Sequence, residues 1–134
     1  MKFRRILTLL SAMAVTGLWG WPAQAQNRGD EVLLEMQQAF RKNDAKRLSA
    51  LLPQARGHVL EPLAAYWDMR TRLDTAPASE IRSFLNTYAG SYYEDRLRND
   101  WLQQLGKRRD WATFTAEYPR FRMRDDREVR CYAL

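Results

Sequence analysis

Apolar residues recur every three or four positions along almost the whole of residues 30–134, and no run of alternating β-branched residues interrupts them. This spacing places the apolar side chains on one face of an α-helix. The first such stripe predicts a helix from about Asp30 to Lys42 and consists of Val32, Leu33, Met36, Ala39 and Phe40. Because the same pattern continues towards the end of the sequence, we expect an all-α fold.

Capping and turn residues divide this stretch into seven predicted helices. Asp44 and Asp110 are suited to cap the short second and sixth helices, and Ser91 has capping-box spacing with Glu94 at the start of the fifth. We expect the fifth helix to stop at Gly106 and the seventh to begin near residue 125 or 126. The side chains expected to line the apolar faces of the later helices include Leu48, Leu51, Leu63, Ala64, Ile81, Phe84, Leu85, Leu97, Trp101, Leu102, Leu105 and Phe114.

Short helices joined by brief turns favour a stack of antiparallel helices, an α-superhelix or α-solenoid, over a single closed bundle, which stays as the structural alternative. Helix pairs recur about every thirty to forty residues, as in helical repeats, but they share no residue signature. The chain reaches Leu134 in the middle of an apolar stripe. We therefore expect a truncated solenoid in which Val129 and Tyr132 have no partner.

The first 25 residues have the pattern of a cleaved secretory signal peptide. Basic residues at positions 2, 4 and 5 precede an apolar run from Ile6 to Trp21, and Ala23 and Ala25 have the small side chains of a cleavage site. The run is interrupted by polar residues and is shorter than the ~20 residues of a membrane span, which argues against a retained anchor. We expect cleavage after Ala25 and an exported product, in which residues 26–134 begin an α-superhelical domain.

The charge of the mature segment is modest. The first 25 residues hold three of the 22 basic residues and none of the 16 acidic ones, so residues 26–134 carry a net charge of +3. Basic and acidic residues alternate in segments 94–100 and 124–128, which is typical of solvated helix faces with spaced ion pairs such as Glu94 with Arg98. A nucleic-acid partner is not expected, because its binder would concentrate basic residues on one face.

Cys131 and His58 are each the only residue of their type. A single cysteine excludes a disulfide within the chain, and we expect Cys131 to be a small buried side chain. His58 follows a glycine in a loop, which is typical of a surface residue. One histidine and one cysteine do not supply four metal ligands, so the sequence predicts no metal site and no cofactor.

Carboxylates and aromatic residues are the remaining candidates for catalysis and ligand binding. Glycoside cleavage needs a carboxyl group in an apolar setting facing the sugar bond, but every glutamate considered is predicted to be solvated: Glu31, Glu35, Glu80, Glu94 and Glu117. Aromatic rings can stack on sugars, yet helical spacing favours core packing for Trp67, Tyr92, Trp101, Trp111 and Tyr118. The sequence therefore identifies no catalytic or binding residue.

Four segments follow one another behind the signal peptide: Leu60–Trp67, the helix containing Phe84 and Leu85, Leu102–Trp111, and Arg130–Leu134. The third combines a leucine-containing helix end, a basic pair and a tryptophan after an aspartate, and the fourth carries Cys131 and Tyr132. In this order and spacing, over most of the mature chain, they resemble the start of the soluble lytic murein transglycosylases.

The resemblance implies the amino-terminal scaffold of a periplasmic enzyme that cleaves peptidoglycan strands to 1,6-anhydromuramic ends. In that family a helical superhelix precedes a lysozyme-like domain whose glutamate is the acid and base, and no segment of these 134 residues corresponds to that domain. The implied partners are peptidoglycan, through the full-length protein, and other cell-wall proteins. The alternative from a different class is a stand-alone exported helical-repeat module that binds another protein.

Overall fold

The computed structural model describes residues 22–134, with side chains from residue 27 onward. No strand occurs in this range, so the all-α prediction is confirmed. No helix within the same range is both long and apolar enough to span a bilayer. Two 3₁₀ turns, Leu52–Ala55 and Tyr118–Arg120, extend the second and sixth helices. The seven α-helices are α1 (Pro22–Arg41), α2 (Ala45–Leu51), α3 (Glu61–Thr71), α4 (Ala78–Thr87), α5 (Tyr92–Arg108), α6 (Trp111–Glu117) and α7 (Arg127–Tyr132).

The first helix is longer than its apolar stripe predicts. It begins at Pro22, whereas the stripe predicts a start near Asp30. Among the side chains that the structure describes, from residue 27 onward, the buried ones of α1 begin at Val32. The predicted signal peptide lies outside the described residues except for residues 22–25, which belong to α1.

The predicted helix starts are confirmed by side-chain caps. The carboxylates of Asp44, Asp110 and Asp126 each accept a hydrogen bond from the backbone N–H three residues further on, at 2.9, 3.1 and 3.0 Å. The Ser91 hydroxyl accepts one from the Glu94 N–H at 3.1 Å. These bonds satisfy N–H groups that have no partner within the helix, and each contributes about 1 kcal/mol.

Each helix packs mainly on the helices next to it or one further along the chain. α1 contacts α2 and α3, α3 contacts α4 and α5, and α5 contacts α4, α6 and α7. α5 therefore has neighbours on several sides, and it also buries more residues than any other helix of the described range. This central position decides the environment of its charged side chains.

The apolar core has two parts. Buried residues of α1, α2 and the start of α3, among them Met36, Leu48 and Ala64, form one cluster. The other is built by α3 to α7 and includes Leu97 and Phe121. Leu52, at the start of the first 3₁₀ turn, packs against both clusters. The core is thus continuous through one side chain between the two groups of helices.

The last helix packs on α5, so the expectation that its apolar residues lack a partner is wrong. Val129 is fully buried, and the Tyr132 ring lies 6.4 Å from the ring of Phe114 between centroids. Gly106 does not end α5, which continues to Arg108. A Cβ at Gly106 would overlap the Tyr132 ring. This glycine lets α7 approach α5 closely, a role that depends on a contact 26 positions away and has no local signal.

Candidate functional site

Charged side chains of α5 lie inside the protein, contrary to the solvated face that segment 94–100 predicts. Glu94 is 3 % exposed, Arg98 4 % and Asp100 7 %, and Glu117 of α6 is 3 % exposed. The prediction of solvated charge is therefore wrong for Glu94 and Glu117. The cause is the position of α5, whose polar side is covered by α3, by α6 and by the turn before α7.

One buried arginine contacts both buried glutamates. Arg98 donates to Oε1 of Glu94 through Nε at 3.2 Å and through Nη2 at 2.7 Å, and its Nη1 donates to Oε2 of Glu117. Two further arginines, whose side chains are exposed, complete the cluster. Arg122 lies 2.9 Å from Glu94, and Arg82 lies 3.3 Å from Glu117. The predicted Glu94–Arg98 pair is confirmed, but it is buried, and the contact of Arg98 with Glu117 joins α5 to α6.

Buried acceptors of α5 also hold the segment that precedes α7. The two carboxylate oxygens of Asp95 accept the backbone N–H groups of Arg122 and Met123 at 2.9 and 2.8 Å. Gln103 donates its side-chain N–H to Asp126 at 2.7 Å. These contacts fix the turn that brings α7 back onto α5, so these side chains serve the architecture.

A polar groove of about 320 Å³ opens between the end of α1, α3 and α5. Its floor is formed by Asp100, which lies 2.9 Å from Nε of Arg70 and accepts a hydrogen bond of 2.8 Å from the Tyr66 hydroxyl. Arg96, one turn before Asp100 on α5, lines the same groove together with Phe40. The groove thus combines two guanidinium groups, one buried carboxylate and two aromatic rings.

The tyrosine hydroxyl of this groove is held in its neutral form. Burial, the charge of Asp100 and the hydrogen bond to it raise the pKa of Tyr66 to about 12. Partial burial of Arg96 favours its neutral form, but the Asp100 carboxylate together with Tyr66 and Tyr92 outweighs this effect, so the pKa of Arg96 lies above its usual value. Arg96 is therefore charged and Tyr66 is a hydrogen-bond donor throughout the physiological pH range.

Sequence reasoning missed these residues because they come from three helices. The available signal was the four-residue spacing of Tyr66 to Arg70 and of Arg96 to Asp100, which puts each pair on one helix face. That spacing does not show that the two faces meet. The contact is made when α3 packs on α5.

The aromatic residues considered for sugar stacking are divided between core and surface. Trp101 is buried, Trp67 stacks on Phe40 with 5.8 Å between ring centroids, and Tyr118 is half-buried. Tyr92 is 62 % exposed and Trp111 is 46 % exposed, so the core prediction is wrong for these two. Trp111 and Tyr132 line an open groove of about 340 Å³ beside Leu134. Tyr92 lies instead near the polar groove, in edge contact with Tyr93, which packs on Tyr66.

Both single-copy residues lie in environments that differ from the predicted ones. The side chain of His58 is only 10 % exposed, because its Nε2 lies 2.8 Å from Asp30 and its Nδ1 accepts the Leu60 N–H at 3.0 Å. It attaches the loop before α3 to α1. Cys131 is exposed, on the side of α7 that faces away from Val129 and the core.

Of the glutamates weighed for catalysis, Glu31 and Glu35 are exposed and Glu80 is partly exposed in an ion pair with Arg72. Within residues 27–134, no group of three or more His, Cys, Asp or Glu side chains is arranged to hold a metal ion. Comparison with protein-family models, with curated proteins and with solved structures found no match to this chain.

Proposed function

We propose that this chain is the amino-terminal scaffold segment of an exported enzyme that cleaves peptidoglycan strands to 1,6-anhydromuramic ends, as the four segments that resemble the soluble lytic murein transglycosylases imply. The observation that carries the proposal is the packing order of an all-α chain. Each helix contacts mainly the next one or two helices, from α1 through α3 and α5 to α7. Sequential packing of this kind is typical of an α-solenoid.

The environment of the carboxylates supports a scaffold role for the described part of the chain. A glycosidase acid needs an apolar setting at a cleft. Glu94 and Glu117 contact Arg98, Asp100 contacts Arg70, and Asp95 accepts two backbone N–H groups. The buried carboxylates named here are thus engaged in structural contacts, and we assign the chemistry of the proposed enzyme to a further domain.

Export through a cleaved signal peptide is part of this proposal and rests on the composition of residues 1–25. Amino-terminal sequencing of the exported product should give a start at Gln26. A product that retains Met1, or one that starts well inside the segment Val32–Phe40, would contradict it.

The direct test is retention of the purified mature chain on purified sacculi. We expect weak retention that decreases with salt, because the net charge of +3 is screened at high ionic strength. Mass spectrometry of the supernatant should find no anhydro-muropeptides. Their release, abolished by a Glu→Gln substitution, would show that the chain itself is catalytic and would overturn the scaffold role.

The alternative, an exported module that binds another protein, is favoured by the exposed aromatic groove of α6 and α7. Trp111 is 46 % exposed there, and Tyr132 and Leu134 extend the apolar surface. The assay of retention on purified sacculi separates the two functions. A chain that stays in solution with sacculi even at low salt fits the module and not the cell-wall scaffold.

A further inference from the structure

We propose that the aromatic groove of α6 and α7 binds an acidic amphipathic helix of a partner protein. The apolar face of that helix lies on the aromatic rings of the groove, and its carboxylates face arginines at the rim. This site does not depend on the cell-wall scaffold function, and it specifies the chemistry of the partner for the protein-binding alternative.

Four aromatic rings form the apolar surface of the groove. The Phe114 ring stacks on the Tyr118 ring with 5.5 Å between centroids, and the Trp111 centroid lies 6.1 Å from those of both Phe114 and Tyr132. Phe114 is buried, whereas Trp111 is exposed. The groove encloses about 340 Å³. Because tryptophan and tyrosine dominate the energetics of many protein interfaces, an open groove lined by them is suited to the apolar side chains of a partner.

The net positive charge of the mature segment comes from the part of the chain that forms the groove. Residues 26–105 contain eleven basic and eleven acidic residues, whereas residues 106–134 contain eight basic and five acidic ones. The whole surplus of +3 therefore belongs to the end of α5, α6, α7 and the turns between them. This distribution favours a partner surface of negative charge, because opposite potentials attract across an interface.

Three exposed arginines lie at the rim of the groove. The guanidinium carbon of Arg124 is 5.7 Å from the Tyr118 ring centroid. Arg120 ends the 3₁₀ turn whose first two residues line the groove, and Arg130 lies on α7 one turn before Ala133, which also lines it. Within residues 27–134, no carboxylate lies within 4.0 Å of the guanidinium of any of these arginines. Carboxylates of a partner can therefore pair with them.

The carboxylates of this region do not compensate the rim arginines. Glu128 accepts the Tyr132 hydroxyl at 3.0 Å and lies 3.7 Å from Nζ of Lys107. Glu117 is buried in its contact with α5. Asp125 is exposed in the turn before α7, and it supplies one negative charge against three arginines. The rim thus keeps a positive surplus beside an apolar surface.

The shape of the surface favours a helix over an anionic bilayer. The aromatic residues line a concave groove between two helices, and an amphipathic helix binds such a groove by placing its apolar face in it. A bilayer surface is flat on this scale and cannot enter the groove. The rim arginines and the groove can be contacted together only by a ligand that is apolar on one face and acidic on its flanks.

The test is fluorescence anisotropy of labelled synthetic helical peptides titrated with the mature chain. Two peptides share a face of leucine and phenylalanine and carry either glutamate or lysine at every other position. We expect the glutamate peptide to bind at least about tenfold more tightly than the lysine peptide, with an affinity that falls as salt is added. A glutamate peptide of the same composition in scrambled order, which has no apolar face, should also bind at least about tenfold more weakly.

Trp111→Ala and Arg130→Gln are the informative variants, and each has a matched control outside the groove. Tyr92→Ala removes another exposed aromatic ring, and Arg41→Gln removes the charge of another exposed arginine on a helix. Affinity for the glutamate peptide should fall at least about tenfold in Trp111→Ala and severalfold in Arg130→Gln, and stay unchanged in both controls. Thermal unfolding shows whether Trp111→Ala is folded, and the comparison of the three peptides on the unaltered chain needs no variant.

Equal binding of the glutamate and lysine peptides, equal binding of the scrambled peptide, or unchanged affinity in a folded Trp111→Ala would overturn the proposal. Cosedimentation with anionic lipid vesicles without binding of the glutamate peptide would assign the surface to a membrane instead. Self-association that Trp111→Ala abolishes would assign the groove to a second copy of the chain, and would also overturn it. Retention on sacculi is measured separately, so a chain that is retained but binds no peptide keeps the scaffold function and loses this site.

Discussion

Replacing Arg98 by Met removes the guanidinium that joins α5 to α6 and leaves two buried carboxylates behind. Glu94 and Glu117 each have side chains at most 5 % exposed, and both contact Arg98. Methionine preserves the apolar stem of the arginine, so the lost contacts are those of the charged group. The substitution therefore measures the contribution of one buried charge to the packing of two helices.

The expected loss is about 3 kcal/mol in the free energy of unfolding. Removing one partner of a buried ion pair costs about 3 to 5 kcal/mol, because the other charge is left without compensation. Here Arg122 remains 2.9 Å from Glu94 and Arg82 remains 3.3 Å from Glu117, which favours the lower end of that range. For a domain of this size the loss corresponds to a Tm lowered by about 12 °C or more.

Urea unfolding followed by circular dichroism provides the assay, with Arg82→Met as the control. Arg82 contacts the same Glu117 but its side chain is 49 % exposed, and it also lies 5.6 Å from the Trp101 ring centroid. An exposed ion pair contributes at most about 1 kcal/mol. The two variants thus remove the same charge from the same carboxylate at different depths.

A loss in Arg98→Met no larger than that in Arg82→Met would refute the reasoning. It would mean that water or the two remaining arginines compensate the glutamates without the buried guanidinium. Arg98→Lys adds a further comparison, since an ammonium group cannot contact both carboxylates with the planar geometry of a guanidinium. We expect its stability to lie between those of the unaltered chain and Arg98→Met.

Three further predictions concern the packing of α7 and the turn before it. Gly106→Ala should lower Tm by overlap with Tyr132, at a cost of about 1 to 3 kcal/mol, whereas in a Tyr132→Ala background the same change should raise Tm, since alanine favours the helix. Asp95→Asn replaces one of two accepting oxygens by a donor, so amide exchange of residues 121–126 should accelerate. Burial raises the pKa of Asp126, but hydrogen bonds from the Val129 N–H and two α5 amides lower it below its usual value. The stability that depends on this charge is present above the unfolded-state pKa of about 3.9 and is lost as pH falls through the folded value, so the difference in unfolding free energy between the unaltered chain and Asp126→Asn should shrink below about pH 4.

The local features of this fold follow from the sequence. Apolar spacing predicts the helices, and the caps predicted at Asp44, Ser91 and Asp110 are confirmed by hydrogen bonds to the N–H three residues later. Both signals act within one or two turns, so a single segment contains all the information that they need.

The environment of the charged and single-copy residues depends on tertiary packing. Segment 94–100 has the charge alternation of a solvated face, yet Glu94, Arg98 and Asp100 are buried because α3, α6 and the turn before α7 cover α5. For the same reason Cys131 is exposed and the side chain of His58 is nearly enclosed.

Helix periodicity predicts which residues share a helix face, but it does not predict how many other helices will pack against that face. Gly106 shows the limit most clearly. Its position near the end of α5 predicts a stop, whereas its function is to admit the Tyr132 ring from α7. The groove of Tyr66, Arg70, Arg96 and Asp100 likewise exists only where α3 meets α5. The sequence by itself determines the helices and their caps, and the packing of α5 among its neighbours decides which charges are buried and which side chains share a groove.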